Sequence, residues 1–396
     1  MSVLFSPIRV GTVELANRFM HSATFEGMAE RNGEVSQRHL RRYRALARGG
    51  IGLIIPGYMY VHPHGKAAPR QTGIHDDSMI PGLRRLADEI HTQDAKVAFQ
   101  LVHAGRQTTR AVIGRNPLGP SSAKRDPVNF VKPTPMTEED ISTLVASFAE
   151  AAVRAAEAGA DGVQFHAAHG YLLNQFLSPF YNRRQDSWGG SPEGRFRVLR
   201  EIYAAVRARI PESMFVAVKL NTYDHTPEEG ITPELAARYA RWLVELGIDF
   251  VEISSGSLLY SFMNVCRGDV PVAELMRGLP WWKKPIGKRL LGKMAGGYGY
   301  DQPYHLEAAA VIKPEMGSTP LALVGGVRRV DQMERILDNG AADIISMSRP
   351  FIREPFLVRR IRDGETDTAA CESCNKCLAA MTEDLPVRCY SRGLPA

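Results

Sequence analysis

The chain has 396 residues, 44% of them apolar and 23% charged, with a formal net charge of +6. Such a composition excludes a disordered or collagen-like chain and supplies a large core without a disulfide scaffold. The opening MSVLFSPIRVGTVELANRF lacks the charged region and apolar run of a signal peptide, and no later stretch approaches about 18 uninterrupted apolar residues, so a cytoplasmic protein without a membrane partner is expected.

In chain order, Phe5 to Leu15 predicts an N-terminal hairpin, and eight short apolar runs follow. They lie at Arg18 to His21, Gly52 to Pro56, Val97 to Leu101, Gly162 to His166, Phe215 to Leu220, Phe250 to Ser254, Leu321 to Val324 and Asp343 to Met347. Each is continuous rather than alternating, as parallel strands covered on both faces require. The connecting pattern is an amphipathic helix, a glycine, two or three residues and then a run, as in EAGADGVQFH and VELGIDFVEIS. Helical spacing relates Ile141, Leu144, Val145, Phe148 and Ala152, and likewise Leu235, Tyr239, Trp242 and Leu243. Thr137 with Asp140 predicts a capping box, Thr232-Pro233 a capped start, and Gly159, Gly247 and Gly340 left-handed stops.

Eight alternating units predict an α/β fold, a closed (β/α)8 TIM barrel spanning residues 1–365. A capping insertion is expected after the sixth strand, about 257–318, and a Cys-rich C-terminal extension, 366–396, packed on the barrel. Trp281 to Lys293 is densely basic and could attract nucleic acid or a membrane, but Pro285, Gly287 and Gly292 are expected to interrupt any amphipathic helix there. A solvated insertion with no nucleic-acid partner is the expectation; a homo-oligomer is left open.

Barrel active sites gather where strands end at the C-terminal face. His166, Ala167, Ala168, His169, Gly170 and Tyr171 follow the fourth strand directly. A zinc site is the rival reading of the two histidines, but no carboxylate or third histidine stands at ligand spacing nearby. The seventh and eighth strands end in Val324-Gly325-Gly326-Val327 and Ser348-Arg349, where glycine amides and a forked guanidinium suit a phosphate. The alternative is that Gly325 and Gly326 only make a tight turn.

The chain resembles the Old Yellow Enzyme family of FMN-dependent oxidoreductases over nearly its whole length. The resemblance rests on Leu15 to Phe19 (LANRF), Gln100 to Arg106 (QLVHAGR), His166 to Arg195 and the two phosphate-loop segments, in the family's order. It implies FMN at the barrel mouth, with Ser22, Ala23, Thr24 and Gly57 lining it, Gln100 at the pyrimidine edge, Lys219 facing N1 and O2, and Gly325, Gly326, Ser348 and Arg349 holding the phosphate. It further implies that NAD(P)H reduces the flavin and that an activated alkene then takes the hydride. His166 and His169 would bind the activating oxygen, and Tyr171 would protonate the α-carbon.

Two departures stand out. Phe25 occupies a position where the family often has threonine or cysteine, and Gln164 replaces an acidic residue, so a buried ion pair there is not assured. Cys371, Cys374, Cys377 and Cys389 crowd into the C-terminal end and resemble the four-cysteine motif of the dienoyl-CoA reductase and trimethylamine dehydrogenase branch, with the second gap one residue shorter. A [4Fe-4S] cluster, a structural zinc and free thiols all remain open. A cluster would admit a protein electron donor in place of NAD(P)H, and the same resemblance keeps open a CoA-thioester reductase, an oxidative demethylase or a non-catalytic flavin electron carrier.

Overall fold

The computed structural model describes residues 2–122, 125–300 and 302–395. Its centre is a ring of eight parallel strands: β1 Phe19–His21, β2 Leu53–Ile54, β3 Lys96–Val102, β4 Gly162–Ala167, β5 Phe215–Asn221, β6 Phe250–Ser254, β7 Leu321–Val324 and β8 Ile344–Met347. Neighbours pair in sequence order, and β8 pairs with β1 through Met347 opposite His21, which closes the barrel. All eight predicted strands are present, and β6 and β7 have the predicted bounds.

The principal outer helices are α1 Gln37–Arg48, α2 Ile80–His91, α3 Glu138–Glu157, α4 Pro192–Arg207, α5 Pro233–Leu246, α6 Leu306–Ile312, α7 Val330–Asp338 and α8 Leu357–Arg362. The α3 stripe packs as its spacing predicts, with Ile141, Leu144, Phe148 and Ala152 all buried. Thr137 and Asp140 form the expected capping box, and Gly159, Gly247 and Gly340 all have positive φ. Removing the cap with Thr137→Ala is expected to lower stability by about 1 kcal/mol, read as a shift in the urea midpoint at constant slope.

Alternation along the strands divides the core in two. One layer lies between strands and helices; the other fills the barrel with Met20, Leu53, Ala98, Phe215, Ala217, Phe250, Ala322 and Ile344. The hairpin Ile8–Val10 and Val13–Leu15 adds Val10 and Leu15 to that inner cluster. Thr12 also bonds Ser213 just before β5, so the hairpin stops the N-terminal end of the barrel. The opposite end is left for chemistry.

The region 257–318 departs from expectation in two ways. Its last part is not insertion: α6 buries Ala308, Ala309 and Ile312 against the barrel and is the repeat's own sixth helix. The basic stretch also forms a helix, Lys284–Met294, despite Pro285, Gly287 and Gly292. Pro285 sits in the first turn, where a missing N–H removes no helical hydrogen bond, and a Cβ on Gly287 would meet Leu279 at 2.7 Å. The interrupting residues are therefore a start signal and a packing contact.

Past α8 the chain runs over the barrel mouth. Lys376 pairs with Glu274 at 3.2 Å, Arg277 with Glu383 at 3.1 Å, and Val387 N–H donates to the Glu26 carbonyl at 2.8 Å. The Cys-rich segment thus bridges the insertion and the loop after β1.

Candidate active site

Register places the principal polar groups side by side. His166 on β4 is opposite Lys219 on β5, which is opposite Glu252 on β6. Glu252 is fully buried and accepts from Ser22 Oγ at 2.7 Å, Ser346 Oγ at 2.8 Å, Gln164 Nε2 at 3.0 Å and Lys219 Nζ at 3.2 Å. Lys219 also donates to Ser22 Oγ at 2.7 Å. A buried ion pair is present on the neighbouring strands, Lys219 with Glu252, while Gln164 itself contributes only amide hydrogen bonds. Gln164 also accepts from Gln100 Nε2 at 2.6 Å.

Above this layer His166 and His169 stand edge to face with ring centroids 5.1 Å apart. The turn between them needs left-handed backbone at His169, φ +61°, and at Gly170, φ +78°. A side chain on Gly170 would also press into Ser257 Oγ at 2.8 Å, so glycine is required there on two counts. Asn221 Oδ1 accepts the His169 backbone N–H at 3.3 Å, and the His169 ring meets Ser254 Oγ at 2.7 Å. Burial, and then the Lys219 charge, hold the His166 ring well below the ordinary histidine range. Burial and the His166 and Lys219 neighbours do the same to His169. Both rings are therefore neutral near pH 7, each with one N–H to donate.

Tyr171 Oη donates to Tyr58 Oη at 2.8 Å, and the Tyr58 ring stacks on Phe25 with centroids 5.7 Å apart. Burial pushes Tyr58 up to about 12 and raises Tyr171 well above its usual value, so both phenols keep their protons. Tyr58 was missed in the sequence although it directly follows the strand-end glycine Gly57.

One open cavity of about 170 Å³ joins most of the expected residues. His166, His169 and Tyr171 line one part; Ser22, Ala23, Thr24 and Lys219 line the floor; Gly325, Gly326, Ser348 and Arg349 line the far end. Thr24 Oγ1 and Ser348 Oγ, 2.6 Å apart, tie the first strand's end to the eighth's. Gly57 and Gln100 do not belong to the wall. Gly57 N–H donates to Glu26 Oε1 at 2.7 Å, and a Cβ there would strike the Glu26 carboxylate and the Thr24 carbonyl. Its smallness serves packing beneath the loop, and Tyr58 takes its place at the surface of the cavity.

Two observations bear on whether a flavin nucleotide fits. His166 Nδ1, in the cavity wall, is buried without a hydrogen-bond partner among the described residues. Arg349, 9% exposed, bonds only neutral acceptors in the described structure, Arg267 O at 2.8 Å and Asn375 Oδ1 at 2.6 Å. A buried guanidinium without a carboxylate calls for an anion. These groups suit a cofactor with a hydrogen-bonding ring and a phosphate.

The tail cysteines are placed differently. Cys371, Cys374, Cys377 and Cys389 line a second, small pocket of about 20 Å³, but no three His, Cys, Asp or Glu side chains among the described residues are placed to hold a metal ion. As placed, the four thiols do not form a metal-ligand set. Among the described residues, no helix is long and apolar enough to cross a membrane.

A closed (β/α)8 barrel with this cavity at the C-terminal ends of its strands is a setting that suits a nucleotide cofactor. The chain belongs to the NADH:flavin oxidoreductase / NADH oxidase family, whose model matches residues 3–273 and 302–368. It is 34% identical to the 4,4'-dithiodibutanoate disulfide reductase of Rhodococcus erythropolis, over 95% of this chain and 92% of that one. An NADPH dehydrogenase of Bacillus licheniformis is 33% identical, over 89% and 92% of the two chains. A solved 2-naphthoyl-CoA reductase superposes with a TM-score of 0.84 at 26% identity, covering 98% of this chain; this chain spans only 56% of that one. The Old Yellow Enzyme resemblance read from the motifs is borne out, and a solved old yellow enzyme homologue from Zymomonas mobilis shares the fold, with a TM-score of 0.72 at 27% identity. The family supports FMN as cofactor and NAD(P)H as reductant.

Proposed function

We propose that the protein reduces C=C bonds conjugated to a carbonyl or nitro group, drawing hydride from NAD(P)H through FMN. The observation that carries this reading is the convergence of His166, His169 and Tyr171 on the cavity that Lys219 and Arg349 also line. Bound FMN would supply the two-electron chemistry, accepting hydride from NAD(P)H and delivering it to the β-carbon.

The chain's residues would do the rest. Two neutral imidazoles donate to the activating oxygen, where negative charge grows as hydride arrives. His169 is braced for this by Ser254 and Asn221. Tyr171 Oη gives a proton to the α-carbon, so the alkene gains one hydride and one proton. Tyr58 Oη can turn its own hydrogen toward Tyr171 Oη, stabilising the phenolate left behind. Arg349 and the Gly325-Gly326 turn hold the phosphate, and Lys219 places positive charge at the cavity floor.

Purified protein is expected to be yellow, to bleach anaerobically with NAD(P)H, and to regain colour when an enone is added. Failure of enones and nitroalkenes to reoxidise the bleached protein would overturn the alkene-reductase reading while leaving the flavin intact. A linear disulfide dicarboxylate belongs in the same assay, given the named activity of the Rhodococcus relative. Protein that is colourless and takes up no added FMN would overturn the cofactor assignment itself.

A further inference from the structure

The segment between Cys371 and Cys377 also carries two buried polar residues aimed at the phosphate loops. Ser373 is 3% exposed at φ +52°, and Asn375 is 2% exposed at φ +54°. Left-handed backbone at two non-glycine positions in one short segment costs free energy that the surroundings must offset. Here the offset is visible in what the side chains bind.

Ser373 Oγ accepts from Arg328, which stands just beyond Gly325-Gly326-Val327, and lies 2.7 Å from Tyr300 Oη. The Arg328 guanidinium is 5.2 Å from the Tyr300 ring centroid. Asn375 Oδ1 accepts from Arg349 Nη1 at 2.6 Å, while its Nδ2 donates to the carbonyls of Cys266 at 2.9 Å and Asp269 at 3.0 Å. Gly268 adds a constraint, since a Cβ there would meet the Ser373 carbonyl at 2.2 Å. The arginines of both phosphate loops therefore end on side chains of the tail. Arg328, Arg349, Ser373 and Tyr300 line the same cavity as Gly326 and Ser348.

We propose that the Cys-rich tail is a wall of the cofactor's phosphate site, with Ser373 and Arg328 binding phosphate oxygens and Asn375 positioning the Arg349 guanidinium. The proposal rests on the reading that this cavity holds FMN. A serine hydroxyl can accept from Arg328 and donate to a phosphate oxygen at once, so Ser373 links the second arginine to the anion without losing its present bond. A dianionic phosphate at this end of the cavity would use the forked donors of both guanidiniums. Ser373 and Asn375 alternate with Cys374, and Cys371 and Cys377 flank them. Whatever fixes the thiols therefore also fixes the phosphate wall.

The test compares FMN with riboflavin, which lacks the phosphate, by quenching of flavin fluorescence on the full chain freed of flavin. Ser373→Ala is expected to weaken FMN about tenfold or more, as loss of a hydrogen bond to a charged group does, and to leave riboflavin unchanged. Arg328→Gln serves as an independent variant should Ser373→Ala fail to fold, and the same selective loss is expected. Asn375→Ala should weaken FMN selectively by acting through Arg349. Equal losses for FMN and riboflavin, or an unchanged preference in both Ser373→Ala and Arg328→Gln, would overturn the tail's role. Wild-type protein that binds neither flavin would instead overturn the cofactor reading on which the proposal stands.

Discussion

Replacing His166 with alanine is expected to slow reoxidation of the reduced protein by an enone about 10²- to 10³-fold, with flavin content unchanged. The magnitude is that of removing one positioned donor from a developing oxyanion, about 3 to 4 kcal/mol. His166 is 2% exposed, its Nδ1 has no partner among the described residues, and burial with the Lys219 charge keeps its ring neutral. A neutral donor of this kind strengthens only as charge appears on the substrate, so the loss falls on the rate more than on binding. The pH profile follows from the same burial. An ordinary histidine titrates near 6.5, but both rings are held well below that value and stay neutral as pH rises through it. The alkene half-reaction should therefore be level across pH 6.5, and a rise or fall centred there would count against both assignments. Stopped-flow traces for wild type and His166→Ala, each pre-reduced anaerobically, provide the measurement.

Much of this site was legible in the chain because barrels place function where strands end. The strands themselves were readable because burial on both faces makes them continuous apolar runs, and glycines at Gly49, Gly159, Gly247 and Gly340 mark the ends of four of the helices before them. Tyr58 could have been found by the same rule, since it follows β2 at the level where Tyr171 follows β4. Other features depend on register or on distant parts of the chain. Glu252 is visible as a carboxylate inside the apolar run FVEIS, an unusual place for a charge, but its partners Ser22 and Lys219 are separated from it by 230 and 33 residues. The Arg328 to Ser373 contact spans 45 residues and joins two loops that share no motif. The basic helix at Lys284–Met294 was misread for a local reason: proline in a first turn begins a helix as readily as it breaks one further along. The short helix α6 was hidden because seven residues following a long irregular stretch give too little periodicity to separate a barrel helix from an insertion.

Lys219→Met is expected to destabilise the flavin-free protein by about 3 to 5 kcal/mol, more than any surface ion pair could account for. The side chains of Lys219 and Glu252 are 3% and 0% exposed, so removing the lysine leaves a carboxylate with neutral donors but no cation. Ser22, Ser346 and Gln164 still satisfy its oxygens by hydrogen bonding. Hydrogen bonds alone do not replace the desolvated positive charge. Glu252→Gln should also destabilise, because it strands the lysine, and the double variant Lys219→Met/Glu252→Gln should recover most of the loss by leaving no buried charge at all. Urea unfolding of the four proteins gives the coupling directly, and simple additivity of the two single losses would show that the pair does not act as one unit. FMN binding separates stability from function in the same set. The double variant regains the folded barrel but not the cation at the cavity floor, so it should be stable yet hold reduced flavin more weakly than wild type, seen as a lower flavin reduction potential. A double variant with unchanged potential would mean that Lys219 serves the barrel's interior alone.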